Sequence, residues 1–100
     1  MTVKTQWTHN PIKGNVIGYL ITQPTILSWA NMLTATAIIK DSSKLKWRIR
    51  AQADMATRIL TYQIGQRIKL TGIKGDLCPG AWDGAKRQIV PQSIEQVARP

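Results

Sequence analysis

Positively charged and apolar residues alternate over residues 44–51, KLKWRIRA. Because successive side chains of an extended strand point to opposite faces, one strand here would place its apolar residues on one face and its cations on the other. Four cations share that second face: Lys44, Lys46, Arg48 and Arg50. Such a face could follow the phosphates of a polyanion, or it could be a solvated surface whose lysines protect a sheet edge from aggregation.

A second strand pattern carries a shorter basic face. In GQRIKLTG, residues 65–72, Ile68 and Leu70 alternate with Arg67 and Lys69, and glycines bracket the stretch. The period of two predicts a strand with its apolar residues inward and its two cations outward. Arg67 and Lys69 therefore join the candidate phosphate contacts.

Flat aromatic side chains could provide surfaces on which bases stack. Trp82 lies in a Gly- and Pro-rich loop near Lys86 and Arg87, where burial is difficult, so we predict a stacking platform rather than a loop anchor. Trp47 shares the parity of Ile49, so a core position and a stacking position both remain open. Two further aromatic residues are candidate platforms, with an interior or interface position as the alternative: Tyr19 and Trp29.

The overall charge favours a polyanionic partner. Fourteen Lys and Arg residues against five acids give a net charge of +9 and a pI near 10.3. Nine of these cations lie between residues 40 and 74, against two acids. An excess of this size opposes compaction and attracts polyanions, so nucleic acid explains the basic faces better than solvation alone.

Several other classes of protein do not fit the composition. One cysteine and one histidine cannot form an internal disulfide or a zinc site, so no metal or cofactor is expected. The carboxylates are scattered and no Gly-rich phosphate loop occurs, so we predict that the protein is not an enzyme. The sequence has no apolar run of membrane-spanning length and no signal-peptide pattern at its start. We therefore expect a cytoplasmic, nucleoid-associated protein without a membrane partner.

The elements that would position these residues form one domain. Residues 1–14 are polar and are predicted to be an irregular arm, followed by a domain over residues 15–100. A short helix is predicted at residues 53–62 with Asp54 as its N-cap, and residues 74–86 are predicted to form a long, mobile hairpin loop. Pro91 is predicted to break the last strand. Five strands are predicted: residues 15–22, 31–40, 44–51, 65–72 and 87–97. This order is all-β, a five-stranded OB-fold barrel with a short helix between strands 3 and 4.

Four segments resemble the bacterial single-stranded DNA-binding protein and its relative primosomal replication protein N. NVIGYLITQP keeps the Asn, Gly, Leu and Pro of the family's first strand, and KWRIRAQADMA keeps the aromatic and Arg before its helix. QIGQRIKLTG matches the Gly-ended helix and following strand, and WDGAKRQIVPQSIEQV matches the loop and last strand. The likeness covers about residues 14–97. The family also recruits replication proteins through an acidic-tipped tail, and the sequence up to Pro100 contains no such segment.

The resemblance implies that single-stranded DNA lies across one face of the barrel, without strong sequence preference, during replication or recombination. It also implies a homodimer or homotetramer and contacts with replication proteins. RNA is possible as well, because only a contact to the 2′-hydroxyl would distinguish the two nucleic acids. Two different functions also fit the basic faces: an OB-fold module that binds an acidic protein partner, and a small barrel that binds folded RNA.

Overall fold

The computed structural model describes residues 12–29, 32–76 and 87–98, except for the side chains of residues 28, 29 and 32. The predicted arm up to residue 11, most of the predicted 74–86 loop, and Trp82 and Lys86 lie outside the described residues. The described elements, in chain order, are β1 (Ile12–Leu20), β2 (Thr25–Trp29), β3 (Met32–Asp41), β4 (Lys46–Gln52), α1 (Asp54–Ile59), β5 (Arg67–Asp76) and β6 (Arg87–Gln96).

Five of the strands close into a barrel. The sheet runs in the order β1-β5-β6-β4-β3-β2, and an additional pairing of β1 with β3 closes it. All described pairs are antiparallel except β4 with β6. The predicted barrel, with a short helix between its third and fourth strands, is confirmed. Strand β2, which lies on the outer edge of β3, was not predicted.

A glycine allows the barrel to close. Gly18 lies opposite Asp41 where β1 crosses onto β3. A Cβ atom at this position would lie 2.2 Å from the carbonyl oxygen of Lys40, well inside contact distance. The two backbones can therefore approach only because residue 18 has no side chain.

The prediction that Pro91 breaks the last strand is wrong. Strand β6 runs continuously from Arg87 to Gln96, and the irregularity is one extra residue in β6: Thr71 pairs with Ser93 and the next residue, Gly72, pairs with Pro91, so Gln92 has no partner in β5. Gly72 lies opposite Pro91, and a Cβ there would be 2.1 Å from the Val90 carbonyl oxygen. The bulge at Gln92 lies next to Pro91, and bulges are among the few positions at which a sheet tolerates proline.

The core fills the barrel and the space beneath α1. Alternate residues of β4 and β5 point inward, as their period-two patterns predicted. Alternate residues of β1 and β3 also point inward, which no alternation in residues 15–22 or 31–40 predicted. The largest completely buried side chains are Leu20, Ile39, Ile49, Ile59, Ile68, Leu70 and Ile89. In the described part of the chain no helix is long and apolar enough to cross a membrane.

Helix α1 is shorter than predicted, and Asp54 is not its N-cap. The helix covers Asp54–Ile59, and the capping position is occupied by Ala53, which has φ 54° and no side-chain capping bond. The Ala53 N–H donates to the Leu33 carbonyl oxygen, which fixes the chain on β3 before the helix begins. Asp54 instead lies in the first turn, where a carboxylate interacts favourably with the helix dipole.

Candidate nucleic-acid interface

A row of side chains crosses four strands on the outer face of the barrel. Tyr19 of β1 lies opposite Arg67 of β5 on one side and Lys40 of β3 on the other, and Lys40 lies opposite Lys46 of β4. We call these four residues the cross-strand row. Because directly paired residues share a face, the three cations and the tyrosine ring project from the same surface.

Inward-facing neighbours fix the direction of the cross-strand row. Leu20, Ile39 and Ile68 follow or precede members of the row along their strands, and all three are buried in the core. Tyr19 is 37 % exposed, Lys46 is exposed, and Lys40 and Arg67 are half-buried. The row is therefore open to solvent, with an aromatic ring between cations.

Arg67 is held in place by the two residues that follow β6, Val97 and Ala98. Its Nη1 donates to the carbonyl oxygen of Ala98 at 2.7 Å, and the Val97 N–H donates to the Arg67 carbonyl oxygen. A guanidinium group has five N–H donors, so this one bond leaves others available for an anion. The hydrogen bond to Ala98 therefore fixes the orientation of the Arg67 guanidinium at the β5 end of the cross-strand row.

The predicted basic face along residues 44–50 is not a continuous exposed surface. Arg48 is buried, with 3 % of its surface exposed, and its Nε donates to Gln88 Oε1 at 2.7 Å while its Nη2 donates to the same oxygen. Strand β4 lies between β3 and β6, so Arg48 has Ile38 on one side and Gln88 on the other. The expectation of an exposed Arg48 is therefore wrong, and we do not propose that Arg48 contacts phosphates.

The other three cations of the predicted 44–50 face differ in where they lie and how exposed they are. Lys44 precedes β4 in a turn, with φ 64°, and Arg50 is half-buried opposite Thr36. Lys46 alone combines an exposed side chain with a place in β4. The alternation predicted the shared face but not how much of it would be covered.

The side chain of Trp47 packs in the hydrophobic core of the barrel. It is 9 % exposed, and its indole N–H donates to Asp41 Oδ2 at 2.9 Å. The Nζ atom of Lys74 lies 5.4 Å from the centroid of its ring, within the range of a cation–π interaction. Of the two positions left open by the sequence, the core position is the one observed.

Asp41 organises the turn before β4. Its Oδ1 accepts the N–H groups of Ser43 and Leu45, both at 2.9 Å, while Oδ2 accepts the Trp47 indole. Burial alone would raise the pKa of Asp41, but these hydrogen bonds and the charge of Arg87 outweigh it and hold the pKa below its usual value. The carboxylate therefore stabilises the folded state in its ionised form.

Two further candidate cations have carboxylate neighbours. Lys69 Nζ lies 3.9 Å from Glu95 Oε1, and Arg87 Nε lies 3.8 Å from Asp76 Oδ1. Both pairs are partly exposed, so each contributes little and could exchange for a phosphate. They remain candidates, although each would have to leave its carboxylate.

The remaining candidates fall outside the described side chains. Strand β2 includes the backbone of Trp29, paired with Met32, but the side chain of Trp29 lies outside the described residues, as do Trp82 and Lys86. Sequence reasoning missed Lys40 as a site residue. It ends the predicted strand 31–40, and only the pairing of β3 with both β1 and β4 shows that it joins Tyr19 to Lys46.

Comparison with solved structures identifies the architecture. The second single-stranded DNA-binding protein of Mycobacterium smegmatis superposes with a TM-score of 0.70 at 13 % identity, over 90 % of this chain and 97 % of that one. The small single-stranded DNA-binding protein of Streptomyces coelicolor gives 0.66 at 15 % identity, over 89 % and 96 %. The fold is an OB-fold.

A third structure with this OB-fold is the SSB domain of a Synechococcus protein, with a TM-score of 0.69 at 6 % identity, over 87 % of this chain and 94 % of that one. No family model and no curated protein matches the chain. At these identities the likeness establishes the OB-fold.

Proposed function

We propose that this protein binds single-stranded DNA without strong sequence preference, through phosphate contacts from the cross-strand row and stacking of a base on Tyr19. The observation that carries the proposal is the cross-strand row itself, three cations and an exposed aromatic ring brought together from four strands. The structural likeness to three single-stranded DNA-binding proteins supports it.

The physical requirements of single-strand binding match this surface. Cations must follow a flexible backbone, and flat side chains must accept bases that are not paired. Arg67, Lys40 and Lys46 supply the charge, and the Tyr19 ring lies between two of them. From β5 to β4 the row crosses three interstrand spacings, about 14 Å in all. A surface of this length suits a few nucleotides of extended strand.

The binding test is a titration of labelled oligo-dT followed by fluorescence anisotropy. Replacing Tyr19 by Ala should weaken binding by about 5- to 150-fold, because loss of one base stack costs roughly 1–3 kcal/mol. Tyr19→Phe keeps the ring and should bind nearly as well as the wild type. Equal affinities for all three proteins would contradict stacking on Tyr19.

Competition experiments distinguish single-stranded DNA from the remaining kinds of partner. Unlabelled duplex DNA should compete poorly with oligo-dT, whereas oligo-rU that competes better than oligo-dT would identify the protein as an RNA-binding barrel. Absence of binding to either single strand would favour an OB-fold module that recognises an acidic protein. Within the proposed function, a role in replication or recombination, contacts with replication proteins and a place in the cytoplasm at the nucleoid remain predictions.

A further inference from the structure

The outer face of the barrel continues from the cross-strand row along β5. Lys69 lies two residues beyond Arg67 and points to the same side, and Ile68 between them is buried in the core. Two residues along a strand span about 7 Å, so a single nucleic-acid strand can contact both cations. A strand that follows the cross-strand row to its β5 end therefore meets Lys69 beyond Arg67.

A carboxylate lies beside this second cation. Glu95 of β6 is paired with Lys69 in the antiparallel register, and its Oε1 lies 3.9 Å from Lys69 Nζ. That distance is longer than a hydrogen bond, and 67 % of the Glu95 side chain is exposed. Such a pair contributes little to folding. Stability therefore does not explain why one of the five acids in a chain of net charge +9 lies next to Lys69.

The ion pair of Arg87 with Asp76 does not lie on this face. Arg87 is opposite Asp76 on one side and opposite Trp47 on the other, and Trp47 packs in the core. Because paired residues share a face, Arg87 belongs to the inward side, at the end of the barrel where β6 begins. Of these two paired cations, Lys69 is the one that extends the cross-strand row.

The other neighbours of Lys69 on this face do not repel a polyanion. Ile17 of β1 lies opposite Lys69. The next row of paired residues is exposed and uncharged, and it consists of Asn15, Thr71 and Ser93. Side chains of these three types donate hydrogen bonds to phosphates. On this face of β1, β5 and β6, Glu95 is the one carboxylate among the residues that the structure describes.

We propose that Glu95 is a competing anion within the proposed DNA site, where it lowers the affinity for the strand by neutralising Lys69; this inference rests on the proposed function. In the free protein the carboxylate occupies the place beside Lys69 that a phosphate would take. When a phosphate displaces it, the freed carboxylate attracts a cation from solution, which offsets the cation that the DNA releases there. The wild type therefore gains little from Lys69, and its salt dependence reflects the cross-strand row.

Glu95→Gln tests the proposal, because it removes the charge and keeps the size of the side chain. In fluorescence anisotropy with labelled oligo-dT, E95Q should bind about fivefold more tightly than the wild type at low salt, the effect of removing one like charge about 4 Å from a phosphate in water. The slope of log affinity against log salt should become steeper by about 0.7, since Lys69 then makes a full phosphate contact. An unchanged slope would overturn the proposal.

Asp54→Asn is the control for net charge. Asp54 is exposed and lies in α1, outside the three strands that form this face, and D54N raises the net charge by one as E95Q does. D54N should keep the wild-type slope, and E95Q should keep the wild-type melting curve because its ion pair is partly exposed. An equal change of slope in D54N and E95Q would assign the effect to overall charge and overturn the proposal.

Lys69→Gln tests whether the effect passes through Lys69. In a K69Q background, Glu95→Gln should no longer steepen the slope, because no cation remains there to contact a phosphate. Equal steepening with and without Lys69 would overturn the proposal. Wild-type binding that Tyr19→Ala weakens but Glu95→Gln leaves unchanged would overturn this inference and leave the proposed function standing. Absence of oligo-dT binding by the wild type would overturn both.

Discussion

Replacing Arg48 by Ala should destabilise the barrel strongly, although the residue belongs to a sequence pattern that suggests a solvated surface. The side chain is 3 % exposed, and two of its nitrogens donate to one oxygen of Gln88, itself 2 % exposed. The substitution leaves that amide oxygen buried without these donors. It also removes the packing of a long side chain at the centre of the sheet.

The size of the effect follows from the burial of both partners. A buried polar group that loses its hydrogen bonds costs about 1–3 kcal/mol. We expect about 2 kcal/mol, because loss of the buried charge also relieves some desolvation. For a domain of this size each kcal/mol lowers the melting temperature by roughly 4–8 °C, so R48A should melt about 8–16 °C below the wild type.

Thermal unfolding followed by circular dichroism measures this change, and Arg50→Ala is the matched control. Arg50 has the same side chain on the same strand and face, but it is only half-buried. R50A should therefore lose distinctly less stability than R48A. If R48A melts within about 2 °C of the wild type, or no lower than R50A, the inference that Arg48 is a structural residue is refuted.

Two further predictions concern closure of the barrel and its pH dependence. Gly18→Ala should lower the free energy of unfolding, measured in urea, by about 1–3 kcal/mol, because its Cβ would collide with the Lys40 carbonyl oxygen. Gly14→Ala should lower it less, since the Cβ there meets only the movable end of the Lys74 side chain. Equal losses would argue against close backbone contact at Gly18. Asp41→Asn should be less stable than the wild type at pH 7. Because the pKa of Asp41 is lowered in the folded state, its stabilisation is present above the unfolded pKa and disappears as the pH falls through the folded pKa. The unfolding free energies of the two proteins should therefore converge at a pH below the usual aspartate pKa of 3.8. A stability difference that stays constant as the pH falls well below 3.8 would contradict this account.

Local patterns in the sequence were sufficient to predict the barrel. Alternation of apolar residues located β4 and β5, and β-forming residues located β1 and β3. The position of the helix between the third and fourth predicted strands selected the topology. The same alternation placed Trp47 on the side of Ile49, and both are buried. Inward and outward faces are local properties, because they depend on a period of two along one strand.

Contacts between distant strands could not be predicted in this way. Tyr19 and Lys40 are neighbours only because β1 crosses onto β3, which depends on the close approach at Gly18. Burial of Arg48 similarly depends on its position between β3 and β6, since alternation gives the face of a side chain but not what covers it. Strand β2 was not predicted, because its five residues are defined as a strand by their pairing with β3 and not by a pattern of their own.

The salt dependence of oligo-dT binding tests the central claim most directly. Each phosphate contact to a single strand contributes about −0.7 to the slope of log affinity against log salt, so the three cations of the cross-strand row predict a slope of about −2 or steeper. Lys46→Gln should bind more weakly and make the slope shallower by about 0.7. Arg58→Gln, which removes one exposed charge from α1, should leave the slope unchanged. Identical slopes for the wild type and K46Q, or an equal change in R58Q, would show that the strand does not follow the cross-strand row.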